Sequence, residues 1–171
     1  MRRANLADRD LLVAWDADPD VRASGGDDDW RDWDSVLAEE SGYEEFWLAV
    51  EDDGPSGIVV LLDAAREPTH YWGDVEPDTW ALDIWIGRPD RRSRGLGTAM
   101  LRWAIERCFT VHGARRILID PLETNVRAID LYRRVGFTDV GPRTFGEDRC
   151  LLLEVSRPDR PRCEPTERSA R

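Results

Sequence analysis

The segment from residue 81 to residue 137 constrains the fold most, because strand and helix patterns alternate along it. A strand pattern spans residues 81–87 and is followed by a loop rich in arginine and glycine at residues 91–97. A helical pattern, a short second strand at residues 116–120 and a second helical pattern at residues 125–135 complete the segment. We expect the rest of the chain to be built around this unit.

The loop follows a strand and begins a helix, so backbone N–H groups and the helix N-terminus converge where a pyrophosphate could lie. Two glycines in the loop would let a ligand approach the backbone without meeting a Cβ atom. Three arginines would add charged donors for phosphate oxygens. These residues are Arg91, Arg92, Arg94, Gly95 and Gly97.

The R-x-x-G-x-G spacing of this loop is weak evidence when taken alone, because a solvated basic turn with a glycine bend would also show it. The loop is not a P-loop, since no Gly-Lys-Ser/Thr follows it. Met100 stands where a dinucleotide-binding fingerprint needs its third glycine. The assignment therefore depends on the second helix.

That helix carries the pattern N-x-x-A-x-x-x-Y-x-x-x-G-F from Asn125 to Phe137, which resembles the second signature of the GNAT acyl-CoA N-acyltransferases. Asp83 within its strand, Asp120-Pro121 after the next strand, and the stretch WGDVEP at residues 72–77 extend the match. They resemble the branch that holds the aminoglycoside 6'-N-acetyltransferases and the siderophore lysine N-acyltransferases. The resemblance covers residues 5–156.

The resemblance implies an α+β GNAT fold, with a mixed, mostly antiparallel central sheet that is splayed at the acetyl-CoA site and flanked by helices. We expect one acetyltransferase domain over residues 1–156 and a disordered polar tail over residues 157–171. The remaining predicted helices are residues 7–16 and 31–41, and the remaining predicted strands are residues 46–50, 57–62, 137–142 and 149–155. A loop with three aspartates is expected at residues 24–29.

Composition limits the classes of partner. The formal net charge of -11 argues against nucleic acid and suits a small cationic amine substrate. The three cysteines form no C-x-x-C pair, and His70 and His112 lack metal-ligand spacing, so we expect no metal site. No apolar run is long enough to span a membrane, which predicts a cytoplasmic protein. Whether it is a monomer or a homodimer stays open.

The resemblance implies acetyl-CoA as the acyl donor. The expected cofactor contacts from the strand are Ile84, Trp85 and Ile86. Those from the loop and the start of its helix are Arg91, Arg92, Arg94, Gly95, Leu96, Gly97 and Thr98, and those from the second helix are Asn125 and Ala128. The splayed strand of the family implies that a backbone N–H near Ile84 or Trp85 stabilises the oxyanion. Bulky Trp85 and Trp103 favour a small acyl group.

Two residues are candidates for catalysis. Asp83 alternates with Leu82 and Ile84 in its strand, and a carboxylate in an otherwise apolar strand is costly unless it is solvated or functional. We expect it to act as the base, directly or through water, or to hold the ammonium group in place. Tyr132 matches the tyrosine that donates a proton to the CoA thiolate in the family; the alternative is a core tyrosine.

The segment from residue 70 to residue 80 combines aromatic rings with carboxylates, as a binding surface for a polyamino sugar or a diamine would. A structured loop anchored by Trp72 is the alternative. The expected substrate contacts are Tyr71, Trp72, Asp74 and Asp83, to which the resemblance adds Asp120 and Glu147.

The sequence therefore predicts an acetyl-CoA-dependent N-acetyltransferase that acts on a primary amine of an aminoglycoside, of the 6'-N type, or of a similar polyamine. Two alternatives stay open. One is a siderophore-type (hydroxy)lysine N-acyltransferase. The other is a non-catalytic acyl-CoA-binding module, against which the presence of both Asp83 and Tyr132 argues, because binding alone requires neither.

Overall fold

A computed structural model describes residues 1–25, 31–38 and 41–157. The helices are α1 (Arg9–Asp16), α2 (Pro19–Gly25), α3 (Trp33–Ala38), α4 (Leu96–Thr110) and α5 (Val126–Arg134), with 3-10 turns at Leu6–Asp8 and Pro89–Arg91. The strands are β1 (Arg2–Arg3), β2 (Glu44–Glu51), β3 (Gly54–Asp63), β4 (Thr79–Trp85), β5 (Arg116–Ile119), β6 (Thr138–Phe145) and β7 (Asp148–Ser156).

The seven strands of the described residues form one sheet in the order β1-β2-β3-β4-β5-β7-β6. Only β4 and β5 pair in parallel; every other neighbouring pair is antiparallel. Helices cover both faces. Met100, Leu101 and Ala104 of α4 pack on one face, and Leu12 and Trp15 of α1 pack on the other. The expected α+β fold with a mixed, mostly antiparallel sheet is confirmed.

The sheet opens between β4 and β5. The two strands pair only from Thr79 to Ala81, and β5 ends at Ile119 while β4 continues to Trp85. No strand of the described residues pairs with β4 beyond Ala81 on that side. The expected splay is therefore present, and it leaves one backbone edge of β4 without a strand partner.

The hydrogen-bond pattern of the antiparallel pair β3-β4 shows which backbone groups face this gap. The N–H of Ala64 donates to the carbonyl of Thr79 at 3.0 Å, just before the register pair Asp63 and Trp80. Antiparallel ladders alternate between hydrogen-bonded and non-hydrogen-bonded residue pairs. Because Thr79 is bonded to β3, every second residue after it, including Asp83 and Trp85, directs its backbone groups toward β3 as well. The N–H of Ile84, which lies between those two, points away from β3 and into the gap between β4 and β5.

The N-terminal third differs from the sequence prediction in two places. Ser24 and Gly25, expected in a loop, lie in α2, whose first turn is stabilised by Asp18: its carboxylate accepts from the N–H groups of Asp20 at 2.8 Å and Val21 at 3.2 Å. The rest of that loop prediction, residues 26–29, lies outside the described residues. The short strand β1 was not predicted, because two exposed arginines carry no strand pattern.

The predictions for two other segments extend beyond the described residues. The second predicted helix is observed as Trp33–Ala38, and residues 39 and 40 are not described. The tail from residue 158 is not described either, so its predicted disorder stays a prediction.

Gly87, just after β4, allows α1 to pack tightly against the end of that strand. A Cβ atom at this position would lie 1.9 Å from the Trp15 ring, far inside van der Waals contact. The indole of Trp15 therefore packs directly on the backbone beyond β4, and α1 forms one wall beside the opening of the sheet.

Candidate active site

Asp83 lies in β4 beside the gap, and its side chain is half-buried. One of its carboxylate oxygens accepts a hydrogen bond from the N–H of Ile84 at 2.8 Å. The expected alternation of β4 is observed, because Ile84 packs with the core on the α4 side and Trp85 packs with the core on the α1 side. A carboxylate and a backbone donor that faces the gap thus meet where the sheet opens.

Tyr132 lies on the inner face of α5 with 7% of its surface exposed. Burial raises the pKa of its phenol, and the negative charges of Asp83 and Asp120 raise it further. The two charges act on the phenol because its burial leaves little solvent to screen them. The fold therefore brings the charges of Asp83 and Asp120 to bear on a phenol that lies up to 49 positions away in the sequence, and it keeps the phenol protonated.

The loop between β3 and β4 contributes aromatic side chains that contact the opposite half of the sheet. The indole Nε1 of Trp72 donates to a carboxylate oxygen of Asp120 at 3.2 Å. The ring of Tyr71 meets that of Trp72 edge to face at 4.8 Å and stacks on that of Phe145 at 4.2 Å, with 11° between the ring planes. This arrangement places the ring of Trp72 beside the carboxylate of Asp120, with the ring of Tyr71 next to it.

Phe145 was missed by the sequence prediction. It ends β6, next to the turn that contains Glu147, and no local pattern distinguishes it from an ordinary hairpin aromatic. Glu147 itself is exposed. Asp74 is fully exposed, with His70 3.8 Å from its carboxylate. These two predicted substrate residues therefore contribute exposed charge, unlike the half-buried Asp83 and Asp120.

The N-terminus of α4 is the second part of the site. The helix begins at Leu96 after Gly95, which has a φ of 87° and provides no side-chain cap. The N–H groups of the first turn, at Leu96, Gly97 and Thr98, have no acceptor within the helix. Such a turn is suited to bind an anion. Gly97 is buried, and a Cβ atom there would lie 3.3 Å from Leu131 of α5, so this glycine also permits close helix packing.

Two of the three loop arginines are bound to carboxylates of other elements. Arg92 forms ion pairs with Asp18 at 3.1 Å and Asp20 at 2.5 Å, and its Nε donates to the carbonyl of Ile86 at 3.1 Å. Arg91 pairs with Asp53 of the β2-β3 turn at 2.5 Å. These two side chains hold the loop against its neighbours, whereas Arg94 is exposed.

Arg127 was not predicted as a site residue, yet it adds a further cation to the loop. Its guanidinium donates to the hydroxyl of Ser93 at 2.9 Å, and Ser93 has a φ of 63°, in the left-handed region. Arg127 is exposed and lies between Asn125 and Ala128 in the second motif. Its position inside a recognised motif was the one sequence signal that could have identified it.

Asn125, predicted to contact the cofactor, caps α5. Its side-chain oxygen accepts from the N–H of Ala128 at 3.2 Å, so Asn125 is the N-cap of this helix. The cap orients the first turn of α5, which carries Arg127 toward the loop. Asn125 and Ala128 are therefore joined to each other at the N-terminal end of α5.

Among the residues that the structure describes, no three His, Cys, Asp or Glu side chains group as they would around a metal ion. Nor does any helix in the described ranges have the length and apolar character required to cross a bilayer.

Comparisons with known proteins agree with this geometry. A family model described as the acetyltransferase (GNAT) domain matches residues 5–145. The aminoglycoside N(6')-acetyltransferase type 1 of Klebsiella pneumoniae is 27% identical over 150 residues, which are 87% of this chain and 74% of the relative. The spermine/spermidine N(1)-acetyltransferase of Bacillus subtilis (strain 168) is 32% identical over 76 residues, 42% of this chain and 50% of the relative.

Solved structures share the fold. The aminoglycoside acetyltransferase AAC(6')-Ib in complex with coenzyme A and kanamycin superposes with a TM-score of 0.79 at 23% identity, covering 91% of this chain and 93% of that one. The aminoglycoside N(6')acetyltransferase of Legionella pneumophila gives a TM-score of 0.73 at 19% identity, covering 91% of this chain and 90% of that one.

Proposed function

This chain belongs to the GNAT acetyltransferase family, and from that premise we propose that it transfers the acetyl group of acetyl-CoA to a primary amine of an aminoglycoside, at the 6' position, or of a similar polyamine. The observation that carries the proposal is the half-buried carboxylate of Asp83 at the opening of the sheet, whose negative charge, with that of Asp120, acts on the buried phenol of Tyr132. One site thus holds two carboxylates for an amine and one proton for a thiolate.

The donor would bind along the splayed edge of β4. Its pyrophosphate would accept from the N–H groups at the start of α4, with Arg94 and Arg127 as the nearby exposed cations. The thioester oxygen would accept from the N–H of Ile84, which faces the gap. The carboxylate of Asp83 accepts from the N–H of Ile84 in this structure. This hydrogen bond must therefore break before the acetyl oxygen can accept from the same N–H.

In the reaction, the amine must first lose a proton, because a primary amine has a pKa of about 10 and is mostly charged at neutral pH. Asp83 takes that proton, directly or through water. The amine nitrogen then forms a bond to the thioester carbon, and the bond from that carbon to sulfur breaks. Tyr132 gives its proton to the departing thiolate, and the second proton that the bonded nitrogen must lose returns to the Tyr132 oxygen through water. Asp83 passes the first proton to solvent, and an acetamide and CoA are released.

The acceptor side favours a cationic, partly apolar substrate. The rings of Tyr71 and Trp72 offer surfaces for sugar faces or methylene chains, and Asp120 lies beside them to pair with an ammonium group. The net charge of -11 would attract a polycation. Relatives named for aminoglycosides and for spermine and spermidine support this substrate class.

The proposal is tested by measuring CoA release from acetyl-CoA with a panel of amines. We expect turnover with kanamycin or tobramycin, weaker turnover with spermidine, and none with a matched aminoglycoside that carries a hydroxyl in place of the 6' amine. Mass spectrometry of the product locates the acetyl group. Preference for hydroxylysine, or for an uncharged or acidic amine, would contradict the proposed substrate.

The cofactor side yields a separate prediction. Arg94→Gln removes an exposed cation beside the start of α4, so the Kd of acetyl-CoA should rise about fivefold, or about 1 kcal/mol. The effect should shrink as salt is added, because exposed charges are screened. Isothermal titration calorimetry measures both. Arg102→Gln, which removes an exposed arginine farther along α4, is the matched control; equal effects would refute the assigned role of Arg94.

A further inference from the structure

Phe145 takes no part in the proposed reaction, yet its ring makes a close aromatic contact with the acceptor side of the site. It ends β6, and its ring is stacked nearly parallel to that of Tyr71, with the centroids 4.2 Å apart. Most of β6 is exposed, and the ring of Phe145 is only half-buried. The stack therefore joins a hairpin at the edge of the sheet to the β3-β4 loop, rather than filling the core.

The contacts continue from this stack to a carboxylate of the site. Tyr71 meets Trp72 edge to face at 4.8 Å and 73°, a geometry that aromatic pairs prefer. The indole N–H of Trp72 then donates to one carboxylate oxygen of Asp120 at 3.2 Å. Three successive contacts thus lead from the β6-β7 hairpin to Asp120.

The C-terminal end of the β3-β4 loop is held by the N–H of Arg115, which donates to the carbonyl of Asp78 at 2.9 Å, but the bonds around Tyr71 mainly shape the turns of the loop. Glu67 accepts from the N–H groups of Thr69 at 2.8 Å and Tyr71 at 3.0 Å, and Gly73 donates to the carbonyl of His70 at 2.7 Å. These local bonds give the loop a conformation but do not place it over Asp120. The stacking of Tyr71 on Phe145 and the hydrogen bond from Trp72 to Asp120 place this part of the loop over Asp120.

We propose that Phe145 is a positioning residue for the acceptor site: by stacking on Tyr71 it holds Trp72 against Asp120, and so fixes the direction in which the Asp120 carboxylate meets the substrate amine. The terminal torsion of an aspartate has a broad energy minimum, so a donor on one oxygen determines where the other oxygen points. This role rests on the proposed function, and it assigns to Phe145 an effect on acceptor binding without contact with the reacting atoms.

The kinetic test uses the full chain with acetyl-CoA and kanamycin. Phe145→Leu should raise the KM for kanamycin about fivefold, while kcat and the KM for acetyl-CoA stay unchanged. Phe145→Tyr keeps the ring and should restore the parent KM. Val140→Ala removes an exposed apolar side chain from the same strand and is the matched control. An unchanged KM in Phe145→Leu would overturn the proposal.

A double variant separates positioning from direct contact with the substrate. Trp72→Phe keeps a ring but removes the N–H that Asp120 accepts from. If Phe145 acts through this bond, Phe145→Leu combined with Trp72→Phe should raise the KM no further than Trp72→Phe alone. Fully additive increases would mean that Phe145 touches kanamycin itself, which would overturn the positioning role.

A readout without turnover separates this proposal from the proposed function. The indole N–H of Trp72 gives a nitrogen-15 resonance that is assigned by its loss in Trp72→Phe. We expect its exchange with solvent to become about tenfold faster in Phe145→Leu and to stay unchanged in Val140→Ala. If the exchange of the Trp72 indole N–H with solvent is unchanged in Phe145→Leu, the positioning role of Phe145 is refuted, whatever acetyltransferase activity the variant shows. A parent protein that acetylates no amine refutes the proposed function, and with it the role in acceptor binding.

Discussion

Asp83→Asn is expected to lower kcat for an aminoglycoside about 1000-fold while acetyl-CoA still binds. Asparagine has nearly the same shape and can still accept from the N–H of Ile84, so the local backbone should stay as it is. It cannot take a proton from the amine, and it cannot pair with an ammonium group. Steady-state kinetics with kanamycin, together with calorimetry for acetyl-CoA, measure the two effects separately.

The matched control for this prediction is Asp130→Asn, which removes an exposed carboxylate from α5 and should leave kcat unchanged. Parent-like turnover in Asp83→Asn would show that neither proton transfer nor charge at this position limits the reaction. The amine would then have to reach the site already neutral.

Asp83→Ala tests a different property of the same residue, because alanine leaves the N–H of Ile84 without its present acceptor. Acetyl-CoA should then bind about fivefold more tightly relative to CoA than it does in the parent protein, since only acetyl-CoA brings an oxygen for that donor. Acetyl-CoA and CoA carry the same phosphates, so the ratio of their dissociation constants is not affected if the variant changes phosphate binding. An unchanged ratio of the two dissociation constants would show that the acetyl oxygen does not use the N–H of Ile84.

Tyr132→Phe is expected to lower kcat about 100-fold with little change in acetyl-CoA affinity. The substitution keeps the ring and its contact with Phe137, at 6.1 Å between centroids, and deletes the proton assigned to the departing thiolate. Because burial and the charges of Asp83 and Asp120 raise the pKa of the phenol, Tyr132 should stay protonated throughout the working range.

The pH dependence follows from the sign of that shift. The ratio of parent to Tyr132→Phe activity should be the same from about pH 6 to about pH 9, since a phenol with a raised pKa does not ionise there. A ratio that falls steeply toward alkaline pH would contradict the raised pKa. Full activity in the variant, with an unchanged Tm, would make Tyr132 a core residue and leave protonation of the thiolate to solvent.

Local pattern was sufficient to predict β4, α4 and α5. The alternation around Asp83 predicted which β4 side chains face each core, and the structure places Ile84 and Trp85 on the opposite sides expected. The helical pattern after the loop predicted α4, and the structure buries Met100 and Leu101 on the inner face of that helix. Such patterns are readable because the period of a helix or strand is a property of consecutive residues.

The loop arginines show where local pattern stops being informative. Arg91, Arg92 and Arg94 look alike in the sequence, but Arg92 meets Asp20 from 72 positions away and Arg91 meets Asp53 from 38 positions away. Only Arg94 of the three is left exposed. Which cation can meet a phosphate depends on which carboxylates the fold brings near, and motif spacing contains no information about them.

The sequence by itself determined the family signature, the alternation that puts the Asp83 side chain on the opposite face of its strand from Leu82 and Ile84, and the helix that carries Tyr132. Only the tertiary structure decided how far β4 runs beyond β5, that Asp83 holds the N–H of Ile84, and that Phe145 stacks on Tyr71 while Trp72 bonds to Asp120. Periodicity and motifs record the interactions of near neighbours in the chain. The acceptor site is formed by contacts between a loop, a strand end and a hairpin that are distant in sequence, and these depend on where the whole sheet places them.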